Sequence, residues 1–299
     1  MVVASTGLTR RIRLTPGAVA GAIAVIVTGA AAGRPSKTHF IINNLEFNMS
    51  EHPSTIRWRT MLSGLPFKKI FAFDLDGTVL EPDTLVGLNE AFGPHAEDGA
   101  KRWLEYDRAF KVHGTMTNAE HLQAEYRDLF EVTTLDTMLH WLKTNIRLVP
   151  GSKPFLDFLA SQGVAAVGIS NGVEQIGPVL LDLLDVPMPV ACHKLVLDDK
   201  QSLVHIDWYH DARDGIRKGE LIALAEEWGY EIVGCAGDGK GDIDMAKATA
   251  ERGGIILARE NTDLARWCQA AAMSQTGGSW VTYDNFLDVL AAVQAQLGL

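Results

Sequence analysis

Phe71-Ala72-Phe73-Asp74-Leu75-Asp76-Gly77-Thr78 is an apolar run that stops abruptly at two carboxylates and a turn. The short uncharged stretch Ile70–Phe73, bounded by charge on both sides, predicts a central strand buried on both faces, as in a parallel sheet. Acids at i and i+2 point to the same side of a strand, so Asp74 and Asp76 crowd one spot at its carboxyl end. Like charges held there are costly unless a cation or a proton lies between them. The pair therefore predicts a site as well as a strand.

The chain downstream alternates in the manner that such a strand requires. Val164–Ile169, Glu231–Ala236 and Gly254–Ala258 predict three further strands. Helical spacing over Ser152–Gln162, Gly219–Trp228 and Asp242–Ala250 separates them, with Phe155, Leu156, Phe158 and Leu159 turned inward on the first. Alternating strands and helices imply an α/β fold with a doubly wound parallel sheet, and ligands collect at the carboxyl ends of such strands.

Between Asp83 and Pro150 the strand signals vanish. Trp103, Tyr106 and Phe110, then Leu122, Tyr126 and Leu129, then Leu135, Leu139 and Leu142 recur at helical intervals. A small helical cap inserted after the first strand is expected, its aromatics packing within it. The reading divides the chain into an N-terminal extension (1–65), a catalytic core (66–83 and 150–299) and the cap (84–149). Leu195-Val196-Leu197 and Leu203-Val204-His205-Ile206, on either side of Asp198-Asp199-Lys200-Gln201, predict a hairpin.

Composition narrows the partners. With 299 residues, 47% hydrophobic and 21% charged, the chain can bury a full core. A formal net charge of −10 and no Lys/Arg-rich stripe argue against nucleic-acid binding. Cys192, Cys235 and Cys268 are widely spaced and form no CxxC pair, so neither zinc nor a disulfide framework is expected, and free thiols suit the cytoplasm. The N-terminus pulls the other way. Thr9-Arg10-Arg11-Ile12-Arg13 precedes the uncharged stretch from Leu14 to Gly33, the pattern of an export signal or membrane anchor. The alternative is an upstream extension with Met49 as the working start. A monomer or homodimer is expected, with no membrane contact for the core itself.

The strand ends carry the chemistry. They present Asp74 and Asp76, then Ser170-Asn171-Gly172, then Gly237-Asp238-Gly239, with Lys218 just inside the helix before the third strand. An aspartate can attack phosphorus when a cation removes the repulsion between two anions. An oxygen-only set, Asp74, Asp76, Asp238 and Asp242, suits Mg²⁺. Asp76 is placed to protonate a leaving oxygen and then activate water. Ser170 and Asn171 are candidates to bind a phosphoryl group with nearby amide N–H groups, and Lys218 to supply positive charge. Singly, each fits a blander account: a DxD is often a turn, Gly-Asp-Gly a tight turn and a lone lysine a solvated group. Their joint order at successive strand ends favours the site. Arg102, Arg108, Lys111, His113 and His121 are candidate cap ligands for a second anion, although a solvated surface explains each more simply. Asp211, Arg213 and Asp214 are candidates for the rim, where a charged loop is again the simpler account.

Asp74-Leu75-Asp76-Gly77-Thr78, Ser170, Lys218 and Gly237-Asp238-Gly239-Lys240-Gly241-Asp242 resemble the four motifs of the haloacid dehalogenase-like hydrolase superfamily over about residues 66–299. The resemblance implies Mg²⁺ dependence, an aspartyl-phosphate intermediate on Asp74, and phosphorus chemistry, since true dehalogenases lack the second acid. The insertion resembles that of phosphoserine phosphatases, in which an acid shortly after the first motif meets the substrate amine. Asp83 has the corresponding offset, and Glu81 is nearby. Val204-His205-Ile206-Asp207-Trp208 and Trp280–Val289 resemble the methionine-salvage hydroxyketo-methylthiopentenyl phosphate phosphatases. Two departures stand out: Gly241 replaces an asparagine, and Asn171-Gly172 replaces paired glycines. The resemblance thus implies a phosphatase of a small-metabolite phosphomonoester, phosphoserine-type or related. A phosphotransferase using the same intermediate, or a non-catalytic binding module, is the alternative.

Overall fold

The founding apolar run is strand β1, Lys69–Phe73, and it lies in the middle of a seven-stranded sheet. The computed structural model describes residues 52–96, 99–185, 188–209, 215–270 and 279–298. The N-terminal basic and apolar segment, Met49, Asp211, Arg213 and Asp214 lie outside these described residues. Among the described residues no helix is long and apolar enough to cross a membrane.

After β1 come β2 (Leu80–Glu81) and β3 (Arg147–Leu148), a short antiparallel pair. Then follow β4 (Val164–Val173), β5 (Val190–Leu197), β6 (Leu203–Asp207), β7 (Glu231–Gly237), β8 (Ile255–Arg259) and β9 (Trp280–Tyr283). The large sheet runs β6-β5-β4-β1-β7-β8-β9, parallel throughout except for the β5–β6 hairpin. The chain leaves β1 toward β4 on one side and later returns to β7 on the other, so the sheet changes direction at β1. A crevice opens at the carboxyl ends of strands at such a point.

Alternation along β1 assigns the two faces. Phe71 and Phe73 join Phe155, Leu156 and Leu159 of α6 (Ser152–Ser161), the α7 (Gly177–Leu184) leucines Leu180 and Leu184, and Val293 of α11 (Leu290–Leu297). Ile70 and Ala72 join α8 (Lys218–Glu227), α9 (Ile243–Glu251) and α10 (Asp263–Gln269) through Leu221, Ile222, Met245 and Leu264. Helices thus cover both faces, as a doubly wound sheet requires.

Four helical segments lie between β2 and β3: α2 (Thr84–Phe92), α3 (Trp103–Asp107) running on as a π-helical turn to His113, α4 (Asn118–Val132) and α5 (Leu135–Asn145). The β2–β3 pair is their stem. Arg259 at the end of β8 ties this stem to the core, donating to Gly77 O at 2.7 Å and to Glu81 Oε2 at 2.7 Å. Glu81, noted near Asp83 in the sequence, is committed to Arg259 and Arg147.

Three features differ from expectation. Residues 53–63, expected within an extension ending at 65, form α1 (Pro53–Ser63) and pack on α8. Trp58 is fully buried there and its Nε1 donates to Leu221 O at 3.0 Å. The helix hides in the sequence because Arg57, Arg59 and Thr60 surround its few apolar anchors. Second, β4 continues through Ser170-Asn171-Gly172 to Val173 rather than ending at Ile169. Third, β9 adds an edge strand at Trp280–Tyr283 that no apolar run announces.

Candidate active site

β1, β4 and β7 are neighbours, so their carboxyl ends deliver Asp74, Ser170 and Asp238 to one crevice. Asp74 N donates to Ala236 O at 2.9 Å, extending the β1–β7 ladder by one residue and fixing where the first acid emerges. The turn after it needs Gly77, at φ +75°, where a side chain would be strained. A Cβ there would also lie 2.7 Å from Asp238 Oδ2, so the glycine permits the close approach of two acidic loops.

Lys218 is the first residue of α8, where the helix dipole disfavours a positive charge. Two carboxylates offset that cost: its Nζ lies 2.6 Å from Asp74 Oδ1 and 2.6 Å from Asp242 Oδ1. The lysine is 2% exposed. Burial alone would lower its pKa, but Asp242 and Asp74 outweigh burial and raise it, so the group stays charged. Asp242 also shapes the loop, its Oδ2 accepting from Asp238 N at 3.0 Å and Gly239 N at 2.8 Å.

Asp74, Asp238 and Asp242 each bring a carboxylate oxygen within 4.8 Å of the others. Burial first, then the charge of Asp242, pushes Asp74 well above the usual carboxylate range, against the pull of Lys218. The same two causes push Asp238 up to about 6, while Thr78 Oγ1 donates to it at 3.1 Å. Excess negative charge held in one buried place is what a divalent cation would relieve, and the oxygen-only donor set fits Mg²⁺. Asp76 stands apart from these three. Its Oδ1 accepts from Thr84 N at 2.8 Å, turning the carboxylate toward the helical insert rather than into the cluster. Burial, followed by the charge of Asp83, raises it to about 7.

Ser170 is buried on the far side of Asp74, its Oγ accepting from Gly172 N at 2.9 Å. Asn171 Oδ1 accepts from Ile216 N at 2.8 Å, tying β4 to the segment that leads into Lys218. A Cβ on Gly241 would lie 3.5 Å from Asn171 Nδ2, so the two departures noted in the sequence are spatial neighbours.

Asp74, Asp76, Ser170, Lys218, Asp238 and Asp242 all border a cleft of about 280 Å³ that continues under the insert. Of the expected insert ligands, Lys111 and His121 line it, whereas Arg102 turns to Asp128 at 3.2 Å and Arg108 and His113 are exposed and outside the lining. Trp103, Phe110 and Tyr126, read in the sequence as internal packing, line the cleft as well. Asn118 and Glu125 were not anticipated. Their signal was available: with His121 they repeat at i, i+3 and i+7, alongside the apolar stripe of Leu122, Tyr126 and Leu129.

Against known proteins, no family model matches the chain. The 2-hydroxy-3-keto-5-methylthiopentenyl-1-phosphate phosphatase of Geobacillus kaustophilus is 24% identical, over 74% of this chain and 93% of the relative. The polyol phosphate phosphatase of Saccharomyces cerevisiae is 24% identical, over 77% of this chain and 94% of the relative. Among solved structures, a phospho-aspartyl intermediate analogue of phosphoserine phosphatase superposes with a TM-score of 0.54 at 15% identity, covering 76% of this chain and 99% of the other. The chain is thus similar to phosphatases in sequence and shares the fold of phosphoserine phosphatase.

Proposed function

We propose that this haloacid dehalogenase-like phosphatase hydrolyses a small phosphomonoester with Mg²⁺, through a phosphoryl group carried on Asp74. The observation that carries the reading is the convergence of Asp74, Asp76, Ser170, Lys218, Asp238 and Asp242 at one crevice. Phosphoryl transfer asks mainly for positioning and charge neutralisation, and this set offers both. The similarity to phosphatases acting on a methylthiopentenyl phosphate and on polyol phosphates supports a small soluble ester as substrate.

Asp74 Oδ attacks phosphorus in line, forming one P–O bond as the ester P–O bond breaks. Asp76 gives its proton to the departing alkoxide. A water then attacks the acyl phosphate, Asp76 takes its proton, and the P–O bond to Asp74 breaks to release inorganic phosphate. Lys218 holds the Asp74 carboxylate in place and sets a fixed positive charge beside the transferring group. Ser170 is positioned to donate its hydroxyl to a phosphoryl oxygen. Mg²⁺, when bound, supplies the charge that screens Asp74 from the anionic ester, and Asp74, Asp238 and Asp242 are the residues that would hold it. The insert adds Trp103, Phe110 and Tyr126 to the wall of the cleft.

Asp74→Asn tests the reading with p-nitrophenyl phosphate and Mg²⁺. Turnover is expected to vanish while the circular dichroism spectrum is unchanged. Retained turnover would remove Asp74 as nucleophile.

A further inference from the structure

The helical insert presents buried polar atoms to the cleft for which the protein itself supplies no partner. Thr117 and Glu120 form a capping box, Glu120 N donating to Thr117 Oγ1 at 3.2 Å and Thr117 N to Glu120 Oε2 at 2.8 Å. That cap fixes the start of α4 and so aims Asn118, His121 and Glu125 from one helix face into the cleft. Their exposures are only 8%, 8% and 3%. Asn118 Nδ2 and His121 Nδ1 nevertheless have no hydrogen-bond partner, and neither does Trp103 Nε1 on the neighbouring wall. His121 Nε2 lies 3.1 Å from Glu125 Oε1 but off hydrogen-bond geometry, and its ring stacks on Phe110 with centroids 5.0 Å apart. Buried polar groups left unpaired are costly, so a face carrying several of them is built for a polar ligand.

Charge says which kind. Outside the catalytic cluster the cleft is lined by three acids, Asp83, Asp107 and Glu125. The lysine among its insert residues, Lys111, already has Nζ 2.6 Å from Asp107 Oδ1. A second anionic group on the substrate would therefore face Glu125 and Asp83 with no uncommitted lysine or arginine among the described lining residues to receive it. A hydroxyl or ammonium group would instead donate to Glu125, and a hydroxyl oxygen would also accept from Asn118 Nδ2 and Trp103 Nε1.

We propose that Asn118, His121 and Glu125 read the leaving group of the ester, which carries a donor for Glu125, neutral oxygen acceptors for Asn118 and its neighbours, and no second anion. Polyols and amino alcohols share this chemistry. The inference rests on the phosphatase reading for its substrate, but binding tests it independently of turnover.

The test uses the full-length Asp74→Asn chain, titrated calorimetrically with sn-glycerol 3-phosphate, O-phosphoethanolamine and 3-phosphoglycerate. The first or second is expected to bind about tenfold or more tightly than the third. Adding Glu125→Gln should weaken the preferred ester by about tenfold, and by more for the amine than for the polyol because a charged partner is lost. In the otherwise native chain, Glu125→Gln should lower the ratio of kcat/KM for that ester to kcat/KM for p-nitrophenyl phosphate by a similar factor. Tighter binding of 3-phosphoglycerate, or a Glu125→Gln substitution that leaves the binding preference unchanged, would overturn the proposal. Selective binding without any turnover in the native chain would instead overturn the phosphatase reading alone.

Discussion

Lys218→Met gives the sharpest view of how the catalytic cluster is held together. The substitution keeps most of the side chain's packing and removes only the ammonium, leaving Asp74 and Asp242 facing each other without the cation that sits 2.6 Å from each. The side chains of Lys218 and Asp242 are both 2% exposed, so water cannot take over the lost role. Breaking a buried pair by removing one partner costs about 3–5 kcal/mol. Since stability in domains of this size is about 5–15 kcal/mol, the variant should fold at 25 °C. With about 2–4 °C per kcal/mol for this chain length, the melting temperature should fall by about 6–20 °C. Thermal unfolding followed by circular dichroism at pH 7.5 in EDTA reads the loss without a competing metal ion. Asp74 is already raised by burial and by Asp242, so the folded variant should gain protons and recover stability as pH falls. Lys218→Met/Asp242→Asn removes a stranded charge and should recover more than half of the loss. A single variant within about 1 kcal/mol of the parent, a level typical of exposed pairs, would refute the reasoning. So would a double variant no more stable than the single one.

Burial, and secondarily Arg57, lowers the His193 pKa from 6.5 to about 4, while Nδ1 accepts from Tyr209 N at 3.0 Å. The unfolded chain binds the extra proton, so this contribution is complete above pH 6.5 and is lost as pH falls toward 4, amounting to about 2 kcal/mol between pH 7.5 and 5. Urea titrations over that range should show a flatter dependence for His193→Gln; an unaltered slope would contradict the assignment. Trp58→Ala removes a fully buried ring from α1 and should cost about 3–5 kcal/mol in chemical denaturation. A loss under about 1 kcal/mol would make α1 peripheral. EDTA should abolish turnover of p-nitrophenyl phosphate and added Mg²⁺ should restore it; full activity after exhaustive chelation would contradict the metal assignment.

The sheet was legible because its strands are buried on both faces and read as continuous apolar runs: Ile70–Phe73 and Val164–Ile169 need no context to be recognised. The catalytic residues were legible for a related reason. Strand ends fix where Asp74, Ser170 and Asp238 emerge, so their order along the chain maps onto neighbouring positions in space. The edge strand β9 and helix α1 were not, because β9 is only four residues long and largely half-exposed, and α1 intersperses its apolar anchors with charged and polar residues. The insert resisted reading differently. Helical spacing announces α4, yet nothing local states which face looks down on the crevice. Lys111 and Arg102 are equally plausible in sequence; only packing sends one to the cleft and the other to Asp128. Asn118, His121 and Glu125 share a helical spacing in the sequence, but only burial and the unpartnered atoms of Asn118 and His121 mark that face as one turned to the cleft.

Acid quench during turnover followed by peptide mass spectrometry reads whether Asp74 carries the phosphoryl group. A phosphoryl adduct is expected on the peptide containing Asp74, lost on treatment with hydroxylamine. Turnover with no adduct there, or with an adduct on another residue, would contradict it.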